Sequence, residues 1–182
     1  MEERLIRVGI THGDINGIGY EVILKTFSDL RIADLCTPII YGSSKIAAYH
    51  RKALDLQPVN ISIISQAEEA GLNRINIINC ADEEAKVELG KSTTIAGEAA
   101  FKALEAAVND LTSGVIDVLV TAPINKHNIQ NDQFHFPGHT EYLEEAFGGP
   151  GKKALMILMS NNLRVALVTG HVPLSEVAAL IT

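Results

Sequence analysis

The segment FPGHTEYLEEAFGG, residues 136–149, sets an imidazole, a hydroxyl and a carboxylate side by side. His139, Thr140 and Glu141 follow the chain-reversing Phe136-Pro137-Gly138 and open a run that reads as a helix. VTGHVPLSEVAAL, residues 168–180, repeats the arrangement: an apolar strand runs out through Gly170, presents His171 and turns at Pro173. His12, His139 and His171 all stand at strand or helix junctions, where metals and substrates are usually met. Taken singly, a loop histidine is more often structural than a ligand. His50, between Tyr49 and the basic pair Arg51-Lys52, reads as a surface residue.

Two further loops carry polar groups. THGDINGIG (residues 11–19) has glycines at 13, 17 and 19, which is not the Gly-x-Gly-x-x-Gly dinucleotide fingerprint. Two readings stay open for it. Its amides could cradle an anion before a helix, or it could be a tight turn with Asp14 bonding its own backbone. TAPINKHN places Lys126 just after a strand end. That ammonium could meet a phosphate or carboxylate, and its spacing alone favours simple solvation. Cys36 and Cys80 lie far apart beside apolar runs and read as buried thiols, with no spacing that suggests structural zinc.

Bulk composition excludes several classes. The chain has 182 residues, a net charge of -7 and no basic run, which argues against a nucleic-acid surface. Tryptophan is absent and aromatics are few, so a base-stacking platform is not expected. No run reaches the ~18 apolar residues of a membrane span. MEERLIRVGI holds no signal-peptide core, so cytoplasm is the expected location.

The elements that must position these groups alternate. LIRVGI, TPIIYG, NISIIS, INIINC and VIDVLVT read as strands. GYEVILKTF and SSKIAAYHRKALDL read as helices, the second capped by Ser43 or Ser44. STTIAGEAAFKALEAAVNDLTSG is the clearest helix, with Ala100, Leu104, Ala107, Val108 and Leu111 on one face and Gly114 as its stop. KALMILMS and LRVALVTG flank Asn161-Asn162 and predict an antiparallel hairpin. The last helix is expected to start with Ser175 as N-cap. The fold class is therefore α/β: a doubly wound, mostly parallel sheet with a local hairpin. Ligands of such sheets sit beyond the carboxyl ends of the strands, where THGDINGIG, TAPINK and TGHVPL emerge.

In order and spacing, GITHGDINGIGYEVILK, VLVTAPINK, FPGHTEYL and VALVTGHVPLSEV resemble the 4-hydroxythreonine-4-phosphate dehydrogenase family of vitamin B6 biosynthesis. The chain departs from that family's usual pattern in its first loop, which typically has Pro-Ala where Ile15-Asn16 stand and Pro where Tyr20 stands. The resemblance implies a fold similar to isocitrate and isopropylmalate dehydrogenases. It also implies NAD- and divalent-metal-dependent oxidation of 4-phosphohydroxy-L-threonine. The resulting 3-keto acid decarboxylates to 3-amino-2-oxopropyl phosphate. It implies His139 and Thr140 as substrate-binding residues and His171 as a metal ligand, with zinc, magnesium and cobalt equally open. The general base and the NAD-contacting residues have no assignment. The same resemblance implies a homodimer for the parent protein.

Further metal-ligand histidines of the family lie beyond the His-x-Pro-Leu motif. SEVAALIT stops while still apolar and uncapped. Residues 1–182 are therefore expected to be a single α/β region, the N-terminal part of a longer two-domain enzyme lacking its cofactor-binding segment and inactive alone. His139, Thr140 and His171 are expected to converge on one cleft. Two alternatives stand beside this reading. One is a paralogue acting on a four-carbon aldonate 4-phosphate. The other is a non-catalytic α/β ligand-binding module.

Overall fold

A computed structural model describes residues 5–82, 84–149 and 152–181. The chain divides into two compact units, Met1–His139 and Thr140–Thr182.

The first unit is built on five strands: β1 (Arg7–Thr11), β2 (Thr37–Gly42), β3 (Ile61–Ile64), β4 (Ile75–Asn79) and β5 (Val118–Thr121). They pair in the order β3-β4-β2-β1-β5, and every pairing is parallel. Central β2, TPIIYG, is buried at every residue, as a strand covered on both faces must be. Its side chains alternate between two cores. Ile40 joins Tyr20 and Ile23 of α1 (Gly19–Thr26), Phe27 at its C-cap, and Ile46 and Ala47 of α2 (Ser44–Ala53). Ile39 and Tyr41 join Ala103 and Ala107 of α3 (Thr94–Thr112) on the opposite face. The period-two alternation of a strand thus dictates the doubly wound arrangement.

The helix ends obey local chemistry. Ser43 Oγ accepts the Ile46 N–H at 3.3 Å and caps α2. Thr93 Oγ1 accepts the Ala96 N–H at 3.3 Å and caps α3. Gly114 ends α3 at φ +71°, a left-handed conformation that glycine adopts without steric cost. The predicted apolar face of α3 is buried except at its margin, Leu111. Both cysteines are free and partly buried, and burial pushes the Cys80 thiol up to about 12.

His50 corrects the sequence reading. It is buried at 2% exposure, because it shares the inward face of α2 with Ile46 and Ala47 while Arg51 and Lys52 point away.

α4 (His139–Phe147) opens on the last residue of the first unit. The second unit contains the antiparallel hairpin of β6 (Ile157–Ser160) and β7 (Leu163–Ala166), turning at Asn161-Asn162, and α5 (Leu174–Leu180). Pro173, not Ser175, occupies the N-cap of α5 and makes no side-chain cap bond. Proline's fixed φ suits a helix entry, and Ser175 falls inside the first turn.

Candidate functional site

The strand order reverses at β1: β2 lies on one side of it and β5 on the other. Such a switch point opens a crevice at the carboxyl ends of the two strands. Thr11 and Thr121 are partners there, so the loops THGDINGIG and TAPINK leave side by side. They are tied directly: the Asp14 N–H donates to the Pro123 carbonyl at 2.9 Å, and the Ala122 N–H to the Thr11 carbonyl at 3.1 Å. Gly13 lies at φ +70°, and a Cβ on it would stand 2.2 Å from the Pro123 oxygen. Only glycine permits that approach.

Of the two readings of the first loop, the structure takes the turn. Asp14 Oδ1 accepts the Asn16 N–H at 2.8 Å, and Oδ2 accepts the Asn128 amide at 3.2 Å. Asn16 is a clamp. Its Nδ2 donates to the Lys91 carbonyl at 2.9 Å and to Thr93 Oγ1 at 3.0 Å, and its Oδ1 accepts the Glu88 N–H at 2.7 Å. Asn16→Ala is expected to cost about 1 kcal/mol, because it leaves part-buried backbone groups of Glu88 and Lys91 without their partner. Hydrogen exchange should show faster opening of residues 88–93 in the variant. Unchanged exchange would remove the clamp from the account.

His12, a candidate by position, is wholly buried and not presented to a ligand. It stacks on Tyr20 with ring centroids 5.1 Å apart, and Tyr20 stacks on His50 at 5.2 Å. The Tyr20 hydroxyl accepts the Ser43 N–H at 2.8 Å and donates to the Ser43 carbonyl at 3.2 Å. His50 Nε2 lies 2.8 Å from the Ile15 carbonyl, so that nitrogen carries the proton. Burial holds the His12 pKa down at about 4. Backbone groups of Gly13 and Ala99 oppose this in part, yet neither ring nitrogen reaches hydrogen-bonding geometry.

The segment after β5 positions the second cluster. Asn125 Oδ1 accepts the His127 and Asn128 N–H groups at 3.0 and 3.3 Å, closing a turn that projects Lys126. Ile129 and Phe134 are fully buried and anchor the segment, and Phe134 meets Phe101 of α3 edge-on. Gln130 Nε2 donates to the Lys126 carbonyl at 3.3 Å and to the Phe136 carbonyl at 2.9 Å. One carboxamide therefore joins the Lys126 turn to the turn that delivers His139. His139 Nε2 is buried and has no hydrogen-bond partner. Burial lowers its pKa, and the Lys126 cation lowers it further, so the ring is held neutral. Thr140 follows at once on α4, exposed, and Glu141 stands exposed in the first turn. His135 and His139 have a His-x-x-x-His spacing, but Pro137 stands between them and His135 Nε2 lies 3.0 Å from the Asp132 carbonyl.

His171 stands in the second unit, exposed, at φ +57° between β7 and α5. Among the described residues no three histidine, cysteine, aspartate or glutamate side chains are grouped to hold a metal. Catalytic zinc sites use about three protein ligands. One imidazole does not meet that requirement, so the described donors do not by themselves make such a site. Sequence reasoning missed Asn16, Tyr20 and Gln130 as positioning residues, since no motif marks their partners, most of which are backbone groups.

An open parallel sheet with helices on both faces defines the doubly wound α/β class. The sequence model of the family described as pyridoxal phosphate biosynthetic protein PdxA matches residues 34–182, and the chain belongs to that family. It is 63% identical over 182 residues to the 4-hydroxythreonine-4-phosphate dehydrogenase of Bacteroides thetaiotaomicron, covering 100% of this chain and 50% of the relative. It is 34% identical over 179 residues to the D-threonate 4-phosphate dehydrogenase of Cupriavidus necator, covering 97% of this chain and 53% of the relative. The crystal structure of a 4-hydroxythreonine-4-phosphate dehydrogenase from Burkholderia phymatum superposes with a TM-score of 0.81 at 30% identity, over 96% of this chain and 52% of that one. The chain spans about half the length of the relatives it matches.

Proposed function

We propose that this chain supplies the substrate-binding part of a dehydrogenase acting on 4-phosphohydroxy-L-threonine in vitamin B6 biosynthesis. The observation that supports it most is His139 Nε2, buried and unpartnered at the start of α4, with exposed Thr140 beside it. A buried polar atom without a partner costs free energy that a bound ligand recovers. In this reading the neutral His139 ring and the Thr140 hydroxyl grip polar groups of the substrate, and the free amides of α4 add attraction for an anion. The C3 hydroxyl is oxidised by hydride transfer to NAD, and the 3-keto acid loses carbon dioxide to give 3-amino-2-oxopropyl phosphate. His171 belongs to the same reading as one ligand of a divalent metal, whose remaining ligands are not grouped among the described residues. A cytoplasmic homodimer completes it.

Two measurements test the proposal. In calorimetry, His139→Ala and Thr140→Val are each expected to weaken binding of 4-phosphohydroxy-L-threonine by about tenfold, the loss of one or two hydrogen bonds. Unchanged binding removes both residues from the site. In an absorbance assay with NAD and zinc, magnesium or cobalt, residues 1–182 are expected to form no NADH, because one imidazole cannot hold a catalytic ion against hydration. The Bacteroides relative serves as the positive control. Turnover at the relative's rate would show that the metal is held in another way.

The Cupriavidus relative's name supports a second reading, oxidation of D-threonate 4-phosphate. The two substrates differ in the amino group at C2, and tighter binding of the threonate would favour the second. Binding of either without turnover in any assembly of the protein would favour the non-catalytic module.

A further inference from the structure

We propose that Lys126 is a specificity-determining residue for an oxyanion of the substrate, and that Gln130 is the positioning residue that holds Lys126 and His139 together around it. The inference rests on the reading of His139 as a substrate-binding residue and extends it to two side chains that the resemblance does not assign.

Four observations carry it. Lys126 and His139 both belong to the first unit and stand beyond the carboxyl end of β5, beside the switch point. The Gln130 carboxamide bonds the carbonyls of Lys126 and Phe136, so that both turns meet one side chain. Lys126 is exposed and forms no ion pair among the described residues, although the chain carries an excess of acidic groups. His139 Nε2 is buried and lacks a partner.

A cation set beside a second cation-forming group would be unfavourable if both were charged. Here His139 is held neutral, so the pair presents one full positive charge and one neutral ring nitrogen. Such a pair complements an anion: the ammonium supplies the charge, and the imidazole N–H supplies a directed hydrogen bond. Lysine acts on phosphate as a point charge and does not need the planar match that arginine requires. Gln130 contributes no charge. Its role is to fix the spacing, and a loop turn tied at both ends loses less freedom when the ligand arrives.

The test uses the 182-residue chain, with His139 imidazole resonances followed by NMR during titration with inorganic phosphate and, separately, acetate. Phosphate is expected to shift the His139 signals, about tenfold more weakly in Lys126→Met, with Lys126→Arg retaining most of the affinity. Gln130→Ala is expected to weaken phosphate severalfold although both ligand residues remain. Tighter phosphate than acetate assigns the site to the phosphoryl group, and the reverse assigns it to a carboxylate. Lys126 is exposed, so circular dichroism should show Lys126→Met folded like the parent chain. Equal shifts in parent and Lys126→Met would overturn the Lys126 role and leave His139 as a substrate residue. No shift of His139 with either anion, in any of these chains, would overturn both.

Discussion

Tyr20→Ala is expected to destabilise the first unit by about 3–5 kcal/mol, the range for removing a fully buried aromatic side chain. The ring is 0% exposed and lies between the imidazoles of His12 and His50. Its hydroxyl is also the partner of both backbone groups of Ser43, the residue that caps α2. Truncation therefore opens a cavity, removes two ring contacts and strips the start of α2 of its tie. Tyr20→Phe keeps the ring and is expected to cost only about 1–2 kcal/mol for the lost hydroxyl bonds. Urea unfolding of the three chains separates the terms. A Tyr20→Ala midpoint equal to that of Tyr20→Phe would mean the stack contributes nothing.

The second large effect is loss of stability in mild acid. His12 has a folded pKa of about 4 against an ordinary value of 6.5, depressed by burial. The folded state resists the proton and the unfolded state takes it. Stability is therefore complete above the unfolded value, falls as pH drops from 6.5 towards 4, and levels off below. The difference corresponds to on the order of 3 kcal/mol. His50 and His139 are depressed too and act in the same direction. Asp29, held down at about 2 by the Arg31 guanidinium, contributes only below its ordinary 3.8. The window between pH 6.5 and 4.5 thus belongs to histidine. Urea midpoints measured at pH 7.5, 6.0 and 4.5 should fall in the parent chain and fall less in His12→Gln. A parent midpoint that stays level across this window contradicts the burial of neutral His12.

What the sequence revealed was what local rules encode. The face of α3, the hairpin at Asn161-Asn162 and the start of α4 each depend on residues within a turn or two and stand as read, and of the two candidate caps of α2 the fold takes Ser43. The alternation of strands and helices was enough for the α/β class. The misreadings have equally local causes. His50 was judged by its charged neighbours in sequence, although its true neighbours on the helix are Ile46 and Ala47. Ser175 was judged by its residue type, although Pro173 starts the helix. The roles of Asn16 and Asn128 were invisible, because their partners lie 72 to 114 positions away. The polar first loop had two open readings because composition cannot show whether its donors are already satisfied. In the fold Asp14 closes the turn on the Asn16 N–H, and the Asn16 side chain is taken up by Glu88, Lys91 and Thr93. His139 and Thr140 stand consecutively where expected, and their ligand role rests on the family resemblance together with the unpartnered Nε2.

The ring stack has a consequence for inheritance. Gly42 lies against it, and a Cβ there would stand 2.4 Å from the Tyr20 oxygen and 2.8 Å from the His12 ring. His12, Tyr20, Gly42 and His50 therefore form one steric unit assembled from a strand end, two helices and a loop. Where a relative carries proline in place of Tyr20, the flanking imidazoles would face a gap one ring thick. Lineages of this family should accordingly inherit the four residues together or exchange them together, with intermediates rare. Position 42 should accept a side chain only where position 20 has lost its ring.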